Sequence, residues 1–399
     1  MNISLLTLFF TLFLFVGCSN HRPPAVPTDY AQKLPWGAID LDQNSTNSNS
    51  VINSLGKSLL MKIDINKDTS NTINYNILAL SGGGSRGSYG IGLIVGWNER
   101  GTMPKFDVVT GISTGAVMAP FVFLGDSEID KAKYFYTEMT TERVFTSSML
   151  SFFSDGYIMN AKPLKKLFRK NFNKEFLDKV AAEYKKGRRL YIGTTNLDTG
   201  QLTVWDMGAI AASNRVDKYK RFSDIIYAST ALPVYLPPQY IEIDIKGNPY
   251  YQMHVDGGVY AQVFMIGLVM DWSKILNMNA DVKKRFDTTL YVIANRKYRQ
   301  RDIYTPVEQE PFNIIESYLL MEMDLLFDKN VYRMYRAAKN KNIHFKISSI
   351  PKKMKNIIIT PTEFKPCEMK KLFDIGYTRG IDGIEWKSEI SLDEYDKNR

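Results

Sequence analysis

Short apolar runs alternate with amphipathic stretches along most of the chain. Ile77-Leu78-Ala79-Leu80 is continuously apolar and short, which predicts a buried parallel strand, and a helical pattern follows over residues 88–99. Phe106-Asp107-Val108-Val109-Thr110 predicts a second strand, and Ala116-Val117-Met118-Ala119 continues as a helix. Residues 190–195 and 202–205 predict strands joined by an Asp198-Thr199-Gly200 turn. Further strands are expected at 250–255, at 290–294 and around His344. Residues 162–186 read as a basic amphipathic helix that covers a site or faces lipid. Residues 313–336 read as a long helix whose Met321, Met323, Leu325, Leu326 and Met334 suit a core stripe or, being soft, lipid contacts.

The two ends read differently. Residues 3–16 form an apolar run with no charge, short for a mature membrane span and of the length of a signal-peptide core. Gly17 and Cys18 follow at once, and Leu14-Phe15-Val16-Gly17-Cys18 resembles a bacterial lipoprotein signal, which is cleaved before a cysteine that becomes lipidated. The usual basic residue ahead of the run is absent, so an uncleaved anchor or ordinary secretion is the competing reading. Pro23, Pro24 and Pro27, then an Asn- and Ser-rich stretch over 42–54, are too polar to bury much surface and predict a tether. The expected organisation is a signal peptide at 1–17, a lipidated Cys18 with a flexible tether to 70, a catalytic domain at 71–390 and a tail at 391–399.

The 399 residues are 44% hydrophobic, enough for one large α/β domain. The net charge is +9, from 51 basic and 42 acidic residues, which favours anionic partners. No nucleic-acid motif accompanies it, which leaves phospholipid headgroups or a charge that merely aids solubility as the readings. Cys367 is the only other cysteine; with Cys18 lipidated no internal disulfide can form, and Cys367 is expected to be a buried or inert thiol.

Three segments carry candidate chemistry. Ser81-Gly82-Gly83-Gly84-Ser85-Arg86-Gly87 joins the first strand to the first helix, where converging backbone N–H groups and the helix dipole favour an anion. The segment satisfies G-x-G-x-x-G, but a dinucleotide site needs an acid at the end of the next strand, and Asp107 stands at its start. No Gly-Lys-Ser/Thr follows, which excludes a P-loop. Gly90, Gly92 and Gly96 within the helix predict close packing on a sheet. The second segment, Gly111-Ile112-Ser113-Thr114-Gly115, is G-x-S-x-G between a strand and a helix, the context in which the serine of that motif is a nucleophile. Pro120, in the second turn of that helix, is expected to kink or shorten it. The strand ends adjoin, bringing the Gly82–Gly84 amides near Ser113 Oγ as an oxyanion hole requires.

The third segment is His254-Val255-Asp256-Gly257-Gly258. A triad through His254 is one reading, although two residues' separation from Asp256 leaves little room for an imidazole relay; a packed, hydrogen-bonded structural His254 is the other. Asp256, at a strand end beside two glycines, can accept the serine proton directly if it is partly desolvated.

Taken together, the three segments resemble the patatin-like phospholipase family, in the family's order. A fourth, Ala228-Ser229-Thr230-Ala231-Leu232-Pro233-Val234-Tyr235-Leu236-Pro237-Pro238, is similar to the family's Ala-Ser-x-Ala-x-Pro…Pro-Pro segment. The resemblance implies a three-layer α/β/α fold with a central, mainly parallel sheet and a Ser–Asp dyad without histidine. Ser113 matches the nucleophile and Asp256 the base. Gly82, Gly83, Gly84, Arg86 and Gly87 match the oxyanion loop, with Arg86 orienting the loop or meeting a phosphate. It also implies release of fatty acid from glycerolipids. The sequence itself offers no plausible metal site and demands no cofactor. Gln262 and Phe264 stand near places where the family often has Asn and Pro, a departure that bears on the pocket. Acyl transfer or thioester cleavage on the same dyad, and a non-catalytic lipid-binding envelope lipoprotein, are the rival readings. The expected location is the cell envelope, on the outer membrane where the source has two membranes.

Overall fold

In the computed structural model of the chain, the described residues are 22–42, 47–65, 72–147, 157–266, 286–298, 306–352 and 362–390. Strands and helices alternate much as the apolar runs predict. Besides a short pair at Thr146–Ser147 and Met159–Asn160, the strands are β1 (Ile73–Leu80), β2 (Val108–Gly111), β3 (Arg189–Asn196), β4 (Gln201–Asp206), β5 (Gln239–Ile245), β6 (Asn248–Asp256), β7 (Phe286–Ala294) and β8 (His344–Ser349). They form one sheet in the order β8-β7-β1-β2-β3-β6-β5, with β4 also paired to β3. From β8 to β3 every pairing is parallel, while β4, β6 and β5 join antiparallel.

Alternation along the central strands divides the core between two faces. Leu78 and Leu80 of β1 pack with Ile91 and Leu93 of α2 (Gly87–Glu99) and Phe121 of α3 (Thr114–Leu124). The same cluster includes Phe222 of α8 (Lys218–Thr230) and Phe373 of α10 (Pro366–Asp382). Ile77 and Ala79 point the other way, to Val51, Leu55 and Leu59 of α1 (Val51–Ile65) and to Phe327 and Val331 of α9 (Pro311–Asn340). Helices on both faces of a mainly parallel sheet make the three-layer α/β/α architecture.

Several expectations are corrected. The stretch read as a flexible tether lies against the domain in its described parts. Ile39 N–H donates to the Val204 carbonyl (2.8 Å) and Asp206 N–H to the Gly37 carbonyl (2.9 Å), so the segment runs along the outer edge of β4. Arg22 holds Asp198 with two hydrogen bonds of 2.7 and 2.6 Å. The apolar Ala38, Ile39, Val51, Leu55 and Leu59, scattered among polar residues, supply the burial that composition hides. Residues 162–186 form two helices, α5 (Lys162–Asn171) and α6 (Lys174–Lys185), because the Asn173 side chain caps the second by accepting from Phe176 N–H (3.1 Å). Helix α3 continues through Pro120 to Leu124. Of the methionines of α9, Met323 and Met334 are buried and Met321 is exposed. Cys367 is exposed. Residues 1–17, Cys18 and 391–399 lie outside the described residues.

The glycines of α2 serve a helix as well as the sheet. A Cβ at Gly90 would lie 2.2 Å from Asn295 Oδ1 beyond the end of β7. At Gly92 it would lie 2.2 Å from the Phe373 carbonyl oxygen, and at Gly96 2.3 Å from that of Tyr377, both in α10. The two helices therefore meet backbone to backbone. Gly92→Ala is expected to destabilise the protein: forcing a methyl into such a contact costs about 1–3 kcal/mol, against the roughly 1 kcal/mol that alanine adds in helix propensity. The urea midpoint measures the difference, and a higher midpoint would show that the helices stand further apart.

Candidate active site

The sharp turn at Ser113 is a consequence of two close approaches. A Cβ at Gly111 would lie 2.4 Å from the Gly115 carbonyl oxygen, and one at Gly115 2.4 Å from that of Leu80. With both positions glycine, β2 turns into α3 within two residues, and Ser113 between them takes φ 53° and ψ −122°. A non-glycine residue there stores strain of about 1–3 kcal/mol. The surroundings hold it in place: Ser113 N–H donates to Ser229 Oγ (3.0 Å), whose own hydroxyl donates to the Gly193 carbonyl (2.7 Å).

Asp256 reaches the serine through strand register. Gly111, the last residue of β2, pairs with Ile192 of β3, and Asp256, the last of β6, pairs with Thr194. Since β4 occupies the other edge of β3 over 191–196, β6 takes the edge that β2 vacates. Asp256 N–H donates to the Ala231 carbonyl (2.9 Å), and its carbonyl accepts from Thr195 Oγ1 (2.9 Å). Its Oδ1 accepts from Gly258 N–H (2.7 Å) and its Oδ2 from Ser113 Oγ (2.7 Å). Gly257 is also confined, since a Cβ there would lie 2.4 Å from the Gly193 carbonyl oxygen. The carboxyl is 2% exposed, and burial pushes its pKa up to about 7. The Ser113 hydroxyl, the Gly258 N–H and the Arg296 charge pull the other way without cancelling the rise.

His254 is built into the structure on different terms. It is fully buried, with Nδ1 on Thr194 Oγ1 (2.9 Å) and Nε2 facing Gln252 Oε1 (3.3 Å). Burial pushes its pKa down to about 3, so the ring is neutral, and both nitrogens are committed away from Ser113 and Asp256.

The glycine loop divides its duties. Gly82 gives its N–H to the Gln262 carbonyl (2.9 Å), and a Cβ at Gly87 would lie 2.5 Å from Thr114 Oγ1, so these two serve attachment and packing. Gly83 and Gly84 line the cavity at Ser113, and among the described residues their amides find no acceptor. Arg86 ends the short turn Gly84–Arg86, its N–H on the Gly83 carbonyl (3.2 Å), outside the cavity lining.

The cavity extends from Ser113, Asp256 and the two glycines into apolar surroundings that include Phe135, Met139, Phe145, Leu164, Phe168 and Leu236. Helix α5 thus covers the site with its apolar side. Three participants went unassigned in the sequence: Ser229, inside the fourth segment; Gln262, seen only as a departure; and Arg296. The signal for Arg296 was its place just beyond a buried parallel strand, the end at which open α/β sheets bind ligands. Among the described residues no group of three His, Cys, Asp or Glu stands together as metal ligands.

Residues 78–266 match the family model described as patatin-like phospholipase. No curated protein matches the chain significantly. Among solved structures, the chain is similar to VipD from Legionella pneumophila at 10% identity and a TM-score of 0.37, over 77% of this chain and 66% of that one. It is also similar to a chain in the complex of full-length SpcU with full-length ExoU, from the type III secretion system of Pseudomonas aeruginosa. There the identity is 13% and the TM-score 0.28, over 66% of this chain and 53% of that one.

The buried carboxyl makes a stability prediction that is independent of any reaction. Asp256 holds its proton more tightly folded than unfolded, so its contribution is full below about pH 4 and is lost as pH rises to about 7. The stability of Asp256→Asn relative to the parent should therefore increase between those limits and level off above. Thermal unfolding across that range measures it; a constant difference would mean that the carboxyl titrates normally.

Proposed function

We propose that the protein is a serine lipid acyl hydrolase that cleaves fatty-acyl esters of membrane phospholipids with Ser113 as nucleophile and Asp256 as base. The observation that carries this reading is the 2.7 Å hydrogen bond from Ser113 Oγ to Asp256 Oδ2, made by a serine in a strained turn at the polar end of an apolar cavity. The match to the patatin-like phospholipase model supports the class of reaction.

Asp256 takes the Ser113 proton as Oγ attacks the ester carbonyl carbon. The Gly83 and Gly84 amides donate to the oxyanion that forms. Asp256 then passes the proton to the departing alcohol, leaving an acyl-serine. A water molecule, deprotonated by Asp256, releases the fatty acid. A base that titrates near 7 suits this work, being ionised at neutral pH yet basic enough to take a hydroxyl proton. The apolar lining accepts the acyl chain.

The chain's N-terminal pattern supports anchoring of the enzyme through a lipidated Cys18 as an envelope lipoprotein. With the domain on the membrane it uses, the substrate lies in the plane of the anchor.

Ser113→Ala and Asp256→Ala are each expected to lower fatty-acid release from phospholipid vesicles by at least about a thousandfold, whereas His254→Gln, once shown to be folded, retains most of it. Undiminished release by Ser113→Ala would sink the mechanism. The parent's rate should rise with pH through about 7, as Asp256 loses its proton; a rate that is flat from pH 5 to 8 would exclude Asp256 as the base.

A further inference from the structure

Arg296 stands two residues beyond the end of β7, at the same end of the sheet as Ser113 and Asp256, and lines the same cavity. It is 5% exposed, which is rare for a guanidinium and demands partners. Nη1 donates to Asp324 Oδ1 (2.6 Å) and to the Met323 carbonyl (3.1 Å), and Nη2 donates to Gln262 Oε1 (2.6 Å). These bonds use three of the five N–H groups of an arginine. Nε is buried without a hydrogen-bond partner among the described residues, and one N–H of Nη2 is also left over. Nε and Nη2 share an edge of the guanidinium, the edge with which arginine grips an oxyanion in two-point fashion.

The other polar side chains of the cavity are better supplied. Tyr136 gives its hydroxyl to the Thr114 carbonyl (2.8 Å), Tyr235 gives its own to Glu316, and Ser113 to Asp256. A buried donor without an acceptor is costly, and the fold keeps one here at the polar end of an acyl-sized slot. Arg296 is held by Gln262, which also ties the Gly82 N–H and the Gly258 carbonyl, so the cation is set rigidly relative to the glycine loop and the Asp256 turn.

We propose that Arg296 is a specificity-determining residue that receives the phosphodiester of the substrate lipid through its unused N–H groups. This rests on the hydrolase reading above. It makes the site selective for acyl lipids that carry a phosphate close to the scissile ester, over neutral acylglycerols. Arg86, outside the cavity lining, is not needed for that contact.

The test compares kcat/KM on phosphatidylglycerol and on a diacylglycerol with the same chains, each in neutral detergent micelles. The proteins are the parent, Arg296→Gln and Arg296→Lys, each checked for cooperative unfolding. The preference for the phospholipid should fall about tenfold or more in Arg296→Gln, whatever the loss on both substrates. It should fall less in Arg296→Lys, which keeps the charge without the fork. Asp324→Asn is a second variant at a half-exposed position; removing the competing carboxylate should raise the preference. Equal losses on both lipids would reduce Arg296 to a clamp on Gln262 and overturn the proposal. So would an unchanged preference combined with inhibition by inorganic phosphate in the parent but not in Arg296→Gln, which would mark a site for free anions. Failure of the parent to cleave either lipid would remove the hydrolase reading itself, a result distinct from an unmoved ratio.

Discussion

One edge of β3 carries two strands end to end, and the candidate site depends on it. β2 occupies that edge as far as Ile192, and β6 takes it from Thr194 onward in the opposite direction. Two C-terminal strand ends therefore meet head on, one delivering Ser113 and the other Asp256. Neither residue needs a long loop to reach its partner, so the 2.7 Å contact between them is set by backbone hydrogen bonds. The same junction explains why side chains are excluded around it. Gly111, Gly115 and Gly257 each face a backbone carbonyl at a distance no Cβ tolerates, and Ser229 occupies the remaining space by bonding both to Ser113 and to β3.

Burial at this junction changes what the carboxyl is able to do. A solvated aspartate, with a pKa of about 3.9, is too weak a base for a serine hydroxyl. Desolvation lifts Asp256 to about 7, and the two hydrogen bonds it accepts are too few to reverse the rise. A nearby guanidinium would ordinarily pull such a group back down. Arg296, which also binds Asp324 at 2.6 Å, pulls Asp256 down without cancelling the rise. Burial acts on His254 in the opposite sense, neutralising the ring, and its hydrogen bonds to Thr194 and Gln252 give it a place in the sheet. Two ionisable groups two residues apart thus come to differ in character because burial favours the neutral form of each, raising the carboxyl and lowering the imidazole.

Much of this was legible because it is local. Strand, glycine turn and helix follow one another in sequence at 77–99 and 106–124, and the continuously apolar run at 77–80 foretells the strand that is buried on both faces. What stayed hidden depends on residues far apart in the chain. That Gly92 and Gly96 meet Phe373 and Tyr377, rather than a sheet, requires knowing that α10 lies on α2. That Gly82 spends its amide on Gln262 while Gly83 and Gly84 keep theirs requires the position of residues 180 further on. Gln262 showed itself in sequence only as an unusual residue; its meaning lies in touching Gly82, Gly258 and Arg296 together.

The N-terminal stretch shows how composition misleads at low apolar density. Prolines and asparagines predicted a free tether, yet a few apolar residues at 38–59 and hydrogen bonds along β4 are enough to lay it on the domain. On the anchored reading this matters for geometry. With Arg22 fixed on Asp198, four residue steps separate it from Cys18, at most about 14 Å of extended chain. Asp198 in turn accepts the N–H of Met253, three residues before Asp256 on the same strand. A lipid on Cys18 would then hold the domain close to the bilayer by a corner connected through β6 to Asp256, and would restrict its orientation far more than a long stalk does. The hydrogen bonds of Asp198 to Arg22 and to Met253 thus join the N-terminal stretch to the strand that carries Asp256.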